Sequence, residues 1–147
     1  MANDPTEPSD PLETLFDVVP VPPPARVRAE LLLLAQAPVL PVALDSYAWQ
    51  EIAPGVRVHR LDVPEPGLER HLVWARAGAI HPRHRHEGDE VALVLQGRFV
   101  DDGGSYSAGD ICRSRAGSVH TAEFATGDDC ICYVLCYDAP GAPARPR

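Results

Sequence analysis

Short segments with a two-residue hydrophobic period, separated by glycines, run through this sequence from Tyr47 onward. The β-rich segments are Val56–Val63, Arg70–Arg76, Val91–Val100, Val119–Phe124 and Cys130–Tyr137. The glycines between and within them include Gly78, Gly88, Gly97, Gly103, Gly104, Gly109, Gly117 and Gly127. A period of two is that of a β-strand, and regular short strands joined by such turns form sandwiches or barrels. The pattern therefore predicts an all-β domain.

Proline divides the chain into three parts. Nine of its 16 prolines fall before residue 42 and three close the chain, so we expect one folded domain at residues 45–138 and a disordered tail at residues 139–147. Residues 1–44 are predicted to be a Pro-rich leader with one or two short helices. Asp10-Pro11 has the N-cap and first-turn signals of a helix through Val19, and a leucine stripe predicts a second helix at Ala25–Gln36.

Charge and apolar runs exclude two classes of partner. The formal net charge of −8 repels phosphate backbones, so nucleic acid is not an expected partner. Apolar runs such as Leu31–Ala35 are too short to span a bilayer, and the N-terminus lacks the pattern of a secretory signal. We therefore predict a cytoplasmic protein without a membrane partner, in which the cysteines are thiols rather than disulfides.

Four residues form a candidate metal-binding set. His84 and His86 are two apart, so on an extended strand both imidazoles project to one face, about 6 to 7 Å apart along the backbone. Glu90 keeps that parity after a Glu-Gly-Asp bend, and His120 would have to come from a neighbouring strand. Three imidazoles and one carboxylate suit one divalent transition metal, with positions left open for substrate, water or dioxygen. The same donors also suit a closed, structural zinc site.

The spacing of these residues resembles the cupin motifs. The first cupin motif is matched without exception. It consists here of Gly78, five residues, His-x-His, three residues, Glu90, six residues and Gly97. Gly109–His120 resembles the second motif, with Arg115 where proline is usual, and Phe124 stands where asparagine is usual. The resemblance implies a cupin double-stranded β-helix, which is a jelly-roll barrel, with the metal on His84, His86, Glu90 and His120.

A narrower resemblance covers residues 45–138. Four segments are similar to the cupin domain of ChrR-type anti-sigma factors. They are His-x-His-x-Gly-x-Glu, Val94–Gly97, Asp101–Asp110 and Gly117–His120. That likeness implies a sensor or regulatory domain, zinc as the metal, a sigma factor or other regulatory protein as partner, and a homodimer. Family members bind their sigma factor through an N-terminal zinc module of His and Cys, and no His or Cys precedes residue 45 here. That module is expected to be absent.

A second hypothesis is enzymatic. Small cupins of this size also act as non-haem metal-dependent dioxygenases, so a small-molecule ligand and iron, manganese or nickel remain alternatives, as does a purely structural zinc site. An apolar pocket with a few polar anchors beside the metal would favour catalysis.

For the remaining histidines and cysteines, the default prediction is a structural or solvent-exposed position rather than a role in metal binding. His81 is expected to be a solvated loop histidine, with a supporting or occasional ligand role as the alternative, and His59 and His71 are expected to be exposed on strands. Cys130, Cys132 and Cys136 share parity and are predicted to line one face of the barrel as small hydrophobes. The sharper alternative is that oxidation of Cys112 or of this row acts as a switch, which requires an accessible thiolate.

Overall fold

A computed structural model describes residues 44–61 and 67–138, which form two antiparallel sheets. A single 3-10 turn at Leu44–Ser46 precedes the strands. The predicted leader helices, the end of the Val56–Val63 segment and the predicted tail lie outside these described residues. Across residues 44–61 and 67–138, no helix has the length and apolar character needed to cross a bilayer.

The described residues form ten strands. They are β1 (Gln50–Ala53), β2 (Val56–Leu61), β3 (Leu68–Ala75), β4 (Ile80–Arg85), β5 (Asp89–Gln96), β6 (Arg98–Asp101), β7 (Gly104–Ser107), β8 (Ile111–Ser114), β9 (Val119–Phe124) and β10 (Cys130–Tyr137). The all-β prediction is confirmed, and β9 and β10 coincide with their predicted segments. The predicted segment Val91–Val100 is instead divided between β5 and β6.

The division occurs at Gly97, where the chain turns. Gly97 has a φ of +75°, a left-handed conformation that side chains with a Cβ rarely adopt. A Cβ there would also lie 2.6 Å from the carbonyl oxygen of Asp129. Backbone packing therefore requires glycine at this point, and the turn sends β6 into the second sheet.

Two sheets of six and four strands enclose the core. The six-stranded sheet has the order β1-β2-β3-β10-β5-β8, and the four-stranded sheet has the order β4-β9-β6-β7. Their inner faces meet in one apolar cluster that includes Val94, Cys130 and Val134 from the first sheet and Phe99 and Phe124 from the second. Where the strands are regular, alternating residues thus point between the sheets, as period-two patterning requires.

Strand β4 contains an irregularity that matters for the site. His81 pairs with Ala122 of β9 and His84 pairs with His120, so three steps along β4 match two along β9. The extra residue is a β-bulge, which changes the face to which later side chains point. It brings His81 and His84 to the same side of the strand, although they are an odd number of residues apart.

Candidate metal centre

Three histidines converge between the two sheets. His84 on β4 is the direct cross-strand partner of His120 on β9, and backbone bonds of His86 with Ser118 and Gly117 continue that pairing beyond the end of β4. The ligand nitrogens of the three rings lie within 4.8 Å of one another. The structure therefore brings together three of the four residues predicted from the spacing, on backbone that hydrogen bonds hold in place.

Each ring has an oxygen acceptor at Nδ1. His84 Nδ1 donates to the carbonyl oxygen of Pro82 at 2.9 Å, and His120 Nδ1 donates to Oδ2 of Asp101 at 2.9 Å. His86 Nδ1 lies 3.4 Å from Oε2 of Glu90. Carbonyl and carboxylate oxygens only accept, so in the neutral rings the Nδ1 atoms carry the hydrogens and the Nε2 atoms carry lone pairs. Such outer acceptors orient the histidines of metal sites.

The Nε2 atoms face each other without a donor between them. His84 Nε2 and His120 Nε2 are 3.1 Å apart, and His86 Nε2 is buried with no hydrogen-bond partner among the described residues. Opposed lone pairs repel, and a buried nitrogen without a partner is costly. Burial also lowers the pKa of His84, which keeps this ring neutral near pH 7. A divalent cation bound by the three nitrogens would remove both penalties, so the donor set fits a metal.

Glu90, the fourth predicted ligand, is placed beside this group rather than in it. Its Oε2 faces Nδ1 of His86 and also accepts from the Cys136 thiol at 3.2 Å. Burial alone would raise the pKa of Glu90, but the contacts with His86 and Cys136 outweigh it and leave the pKa below its ordinary value. The carboxylate is therefore ionised and supports the orientation of His86.

Two histidines differ from their predictions. His81 lies in β4 instead of a loop, and its ring stacks on His84 at a centroid distance of 3.9 Å. Burial, and then the neighbouring His84, lower the pKa of His81 to about 4. His71 is half-buried and lines the same cavity, so the prediction of an exposed position is wrong. His71 shares parity with inward Val73 and Ala75, a signal that the sequence did contain. For the bulge that turns His81 inward, the available signal was Pro82, since proline within a strand marks an edge or a bulge.

The third remaining histidine, His59, is half-buried as well, not exposed as predicted. Its ring lies 4.8 Å from that of Tyr47, measured between centroids, and His59 Nδ1 contacts the carbonyl oxygen of Ala48 at 2.9 Å. His59 is thus part of an aromatic contact at the start of the domain and is not among the residues that line the cavity.

Asp101 is a supporting residue that the sequence reasoning missed. It ends β6, and its side chain is 5% exposed where it meets His120. Its other oxygen accepts backbone N–H groups of Gly103 and Gly104 at 2.7 and 3.2 Å. A turn thus fixes the carboxylate that orients a candidate ligand. No spacing rule links Asp101 with His120, because the contact depends on the pairing of β6 with β9.

A cavity of about 240 Å³ opens onto the three histidines. Its apolar wall consists of Ile52, Val58, Val73, Ala92, Phe99, Ala122, Phe124 and Val134. Its polar groups include the three histidines, His71, His81 and Glu90. This is the combination of apolar wall and a few polar anchors that suits a small ligand.

The cysteines behave as predicted for a barrel wall. Cys112, Cys130, Cys132 and Cys136 are free thiols, and all but Cys136 are buried. Cys130 and Cys132 belong to the core cluster, with Cys136 packed against it. They fill space as small hydrophobes between the sheets.

Comparison with known families decides the relationship. The model of the ChrR cupin-like domain matches residues 39–137, which is most of the chain and all of the strands. The chain belongs to the ChrR cupin-like domain family. The motif resemblance and the jelly-roll cupin fold expected from it are both confirmed.

Two similar proteins carry the ChrR name. The anti-sigma-E factor ChrR of Cereibacter sphaeroides is 37% identical over 97 residues, covering 66% of this chain and 45% of that protein. The chain thus spans less than half the length of this curated relative. The crystal structure of Rhodobacter sphaeroides SigE in complex with the anti-sigma ChrR is similar with a TM-score of 0.62 and 28% identity, over 91% of this chain and 70% of that one.

More distant structures share the ChrR cupin-like fold alone. KdgF from Halomonas sp. has a TM-score of 0.55 and 24% identity, over 66% of this chain and 92% of that one. At this identity the similarity establishes only the barrel.

Proposed function

We propose that the Nε2 atoms of His84, His86 and His120 hold one divalent transition metal, and that this metal is zinc. The observation that supports the proposal is the 3.1 Å approach of two acceptor nitrogens beside a third, buried and unpartnered one. Zinc takes neutral imidazole nitrogen in tetrahedral sites, and three protein ligands leave one position open. When bound, the ion supplies a Lewis-acidic position at the floor of the cavity.

The role of Glu90 as fourth ligand stays a prediction. Its contact with His86 Nδ1 supports an orienting role for the carboxylate. Substitution Glu90→Gln separates the two roles. An orienting carboxylate, once replaced, weakens zinc binding by about 10- to 100-fold and leaves the ion with nitrogen donors, whereas a ligand carboxylate would be visible as a lost oxygen donor in X-ray absorption spectra.

For the whole chain we propose a regulatory role of the anti-sigma type. Residues 45–138 would be a metal-dependent regulatory domain between the leader at 1–44 and the tail at 139–147, with a sigma factor as partner. The 37% identity with an anti-sigma factor and the similarity to a chain in complex with SigE support this proposal. Occupancy of the three-histidine site, or a ligand in the cavity above it, would change the contact with the partner.

The test uses the full chain and the purified sigma factors encoded in the same genome. Wild-type protein loaded with zinc is mixed with each sigma factor and run by size-exclusion chromatography, next to a His84→Ala, His120→Ala double variant. The proposal predicts that one sigma factor elutes with the wild type and that its dissociation constant changes at least tenfold in the double variant. Absence of any complex with either form would contradict it.

The cavity favours a second candidate, a small non-haem metal-dependent dioxygenase-like enzyme. Its mostly apolar wall and its volume of about 240 Å³ suit a small organic substrate above an open metal position. Iron, manganese or nickel would then be the metal. Oxygen consumption by iron-loaded protein with a panel of small diketones and carboxylic acids tests this reading, and turnover that disappears in the double variant would replace the regulatory proposal.

Two further expectations concern the state of the protein. We propose a homodimer and a cytoplasmic location, the first by family likeness. Light scattering of the purified chain tests the first, since a monomer mass would contradict it. Cell fractionation of the native host tests the second.

A further inference from the structure

The His81 ring is a polar group on the cavity wall that the three-histidine site does not use. It lines the cavity beside His84. Within residues 44–61 and 67–138, no group forms a hydrogen bond with its ring nitrogens. An imidazole carries at least one N–H in either protonation state. His81 therefore presents a hydrogen-bond donor to whatever enters the cavity.

Strand register fixes the level of this ring in the barrel. His81 of β4 pairs with Ala122 of β9, whereas His84 pairs with His120, two residues earlier on β9. Two residues of a strand span about 7 Å, so the backbone of His81 lies one inward position along from the His84–His120 pair, toward Phe124. Because the bulge turns both β4 histidines inward, His81 faces the part of the cavity directly beside the three-histidine group. A donor on paired strands is held with little freedom.

The stack of His81 on His84 keeps it from binding the ion itself. The ring centroids are 3.9 Å apart and the planes are inclined by 20°. An ion on His84 Nε2 lies near the plane of that ring, about 2 Å from the nitrogen, while the His81 ring lies to one side of the plane. The nitrogens of His81 are accordingly outside the group formed by His84, His86 and His120. A ligand atom bound to the ion on that side would instead come within hydrogen-bond reach of His81.

We propose that His81 donates a hydrogen bond to a small monocarboxylate whose other oxygen binds the metal of the three-histidine site. This inference rests on the metal site proposed above. A carboxylate suits both contacts because its two oxygens are both acceptors, and a hydrogen bond to an ionised group is stronger than one between neutral groups. The inference holds whether Glu90 binds the ion or orients His86, since an ion with four protein ligands can still take a fifth.

The apolar wall of the cavity determines the rest of the ligand. Phe99, Ala122 and Phe124 belong to this wall, on the same side of the histidine group as His81. A cavity of about 240 Å³ has room for a short hydrocarbon chain beside the carboxylate. Each methylene group removed from water strengthens binding about fourfold. Affinity should therefore rise along the series acetate, propionate, butyrate.

The experiment uses the full chain loaded with Co²⁺, whose visible spectrum responds to a change in its ligands. Acetate, propionate and butyrate are titrated separately at neutral pH. In the wild type we expect a saturable spectral change, with affinity rising about fourfold per methylene group. His81→Phe keeps an aromatic ring on His84 but has no donor, so it should weaken each carboxylate at least tenfold. His81→Gln restores an N–H group and should recover part of that loss.

Cobalt affinity separates ligand recognition from a structural role. His81→Phe should bind Co²⁺ as the wild type does, and His59→Phe, outside the cavity, should leave both affinities unchanged. An equal fall in cobalt affinity, carboxylate affinities unchanged in His81→Phe, or a wild-type spectrum that no carboxylate alters would overturn the role of His81 and leave the metal site standing. A wild type that binds no Co²⁺ would overturn both. Circular dichroism checks folding, and His81→Gln decides the matter if His81→Phe is not folded.

Discussion

Asp101 holds His120 through a hydrogen bond of 2.9 Å from Nδ1 to Oδ2, within a contact that is nearly closed to water. Asp101 comes from β6 and His120 from β9, which are neighbours in the four-stranded sheet. The same carboxylate accepts two backbone N–H groups of the following turn through Oδ1. Both of its oxygens are used, so the orientation of a candidate metal ligand depends on a turn that connects β6 to β7.

Asp101→Asn tests this relationship. An amide has one acceptor atom, so it cannot serve the turn and His120 Nδ1 together. We expect zinc affinity to fall by about 10- to 100-fold, as for the loss of other supporting carboxylates of metal-bound histidine. Isothermal titration measures the affinity. Asp102→Asn is the control, because Asp102 is exposed and adjacent; an equal loss in both variants would contradict the role assigned to Asp101.

The thiols on the barrel wall should resist alkylation. Burial raises the pKa of Cys112 from 9.0 to about 12, and a hydrogen bond with Cys130, together with burial, raises that of Cys132. The nucleophile is the thiolate, and a shift from 9.0 to about 12 lowers the thiolate fraction of Cys112 about 1000-fold. Iodoacetamide followed by mass spectrometry should modify both residues far more slowly in the folded protein than in denaturant. Equal rates would restore the thiol-switch hypothesis for Cys112.

Stability should fall in mild acid once metal is removed. Burial lowers the pKa of His71, His81 and His84, that of His81 to about 4. The unfolded chain takes up these protons near pH 6.5 and the folded chain only at lower pH, so the unfolded state binds more protons in between. The free energy of unfolding is therefore highest above about pH 6.5 and declines from there toward about pH 4.

Urea titrations with chelator present, across that window, measure the decline. His81→Gln removes one of the contributing groups, so the decline should be shallower in this variant. A wild-type stability that does not change between about pH 6.5 and about pH 4 would contradict the buried, neutral state of these rings.

The turn between β5 and β6 should not tolerate a side chain at Gly97. Gly97→Ala forces a Cβ against the Asp129 carbonyl at a positive φ, and we expect a loss of at least about 2 kcal/mol in the free energy of unfolding. Gly127→Ala is matched, because Gly127 also has a positive φ but a Cβ there meets no atom within 4 Å. It should cost about 1 kcal/mol. Equal losses would show that the approach of Asp129 is unimportant.

Much of the fold and the histidine set was predictable from local patterns. Consecutive residues identify both β9 and β10. In β9 the side chains alternate between core and solvent, whereas β10 is a continuous apolar run of strand length. His84 and His86 follow the same alternation as β9. The pairing of His84 with His120 could be anticipated only from the family motifs, because strand neighbours in a jelly roll are far apart in sequence.

What escaped prediction depends on register and on irregular backbone. The bulge in β4 turns His81 onto the cavity, and Pro82 within this strand indicates an edge or a bulge without fixing which side chains it turns inward. The contacts of Asp101 with His120 and of Glu90 with Cys136 require strand pairings that a single sequence does not specify. The side on which Glu90 meets His86 is likewise a matter of side-chain geometry, which spacing alone leaves open.

Metal content tests the central claim most directly. The untagged chain, expressed without added metal, is analysed for all transition metals by mass spectrometry next to the His84→Ala, His120→Ala double variant and a His59→Ala control, whose ring lies outside the cavity. The account predicts zinc bound by the wild type and by the control, with at least one equivalent fewer in the double variant. Wild-type protein without metal, or metal content unchanged in the double variant, would contradict it.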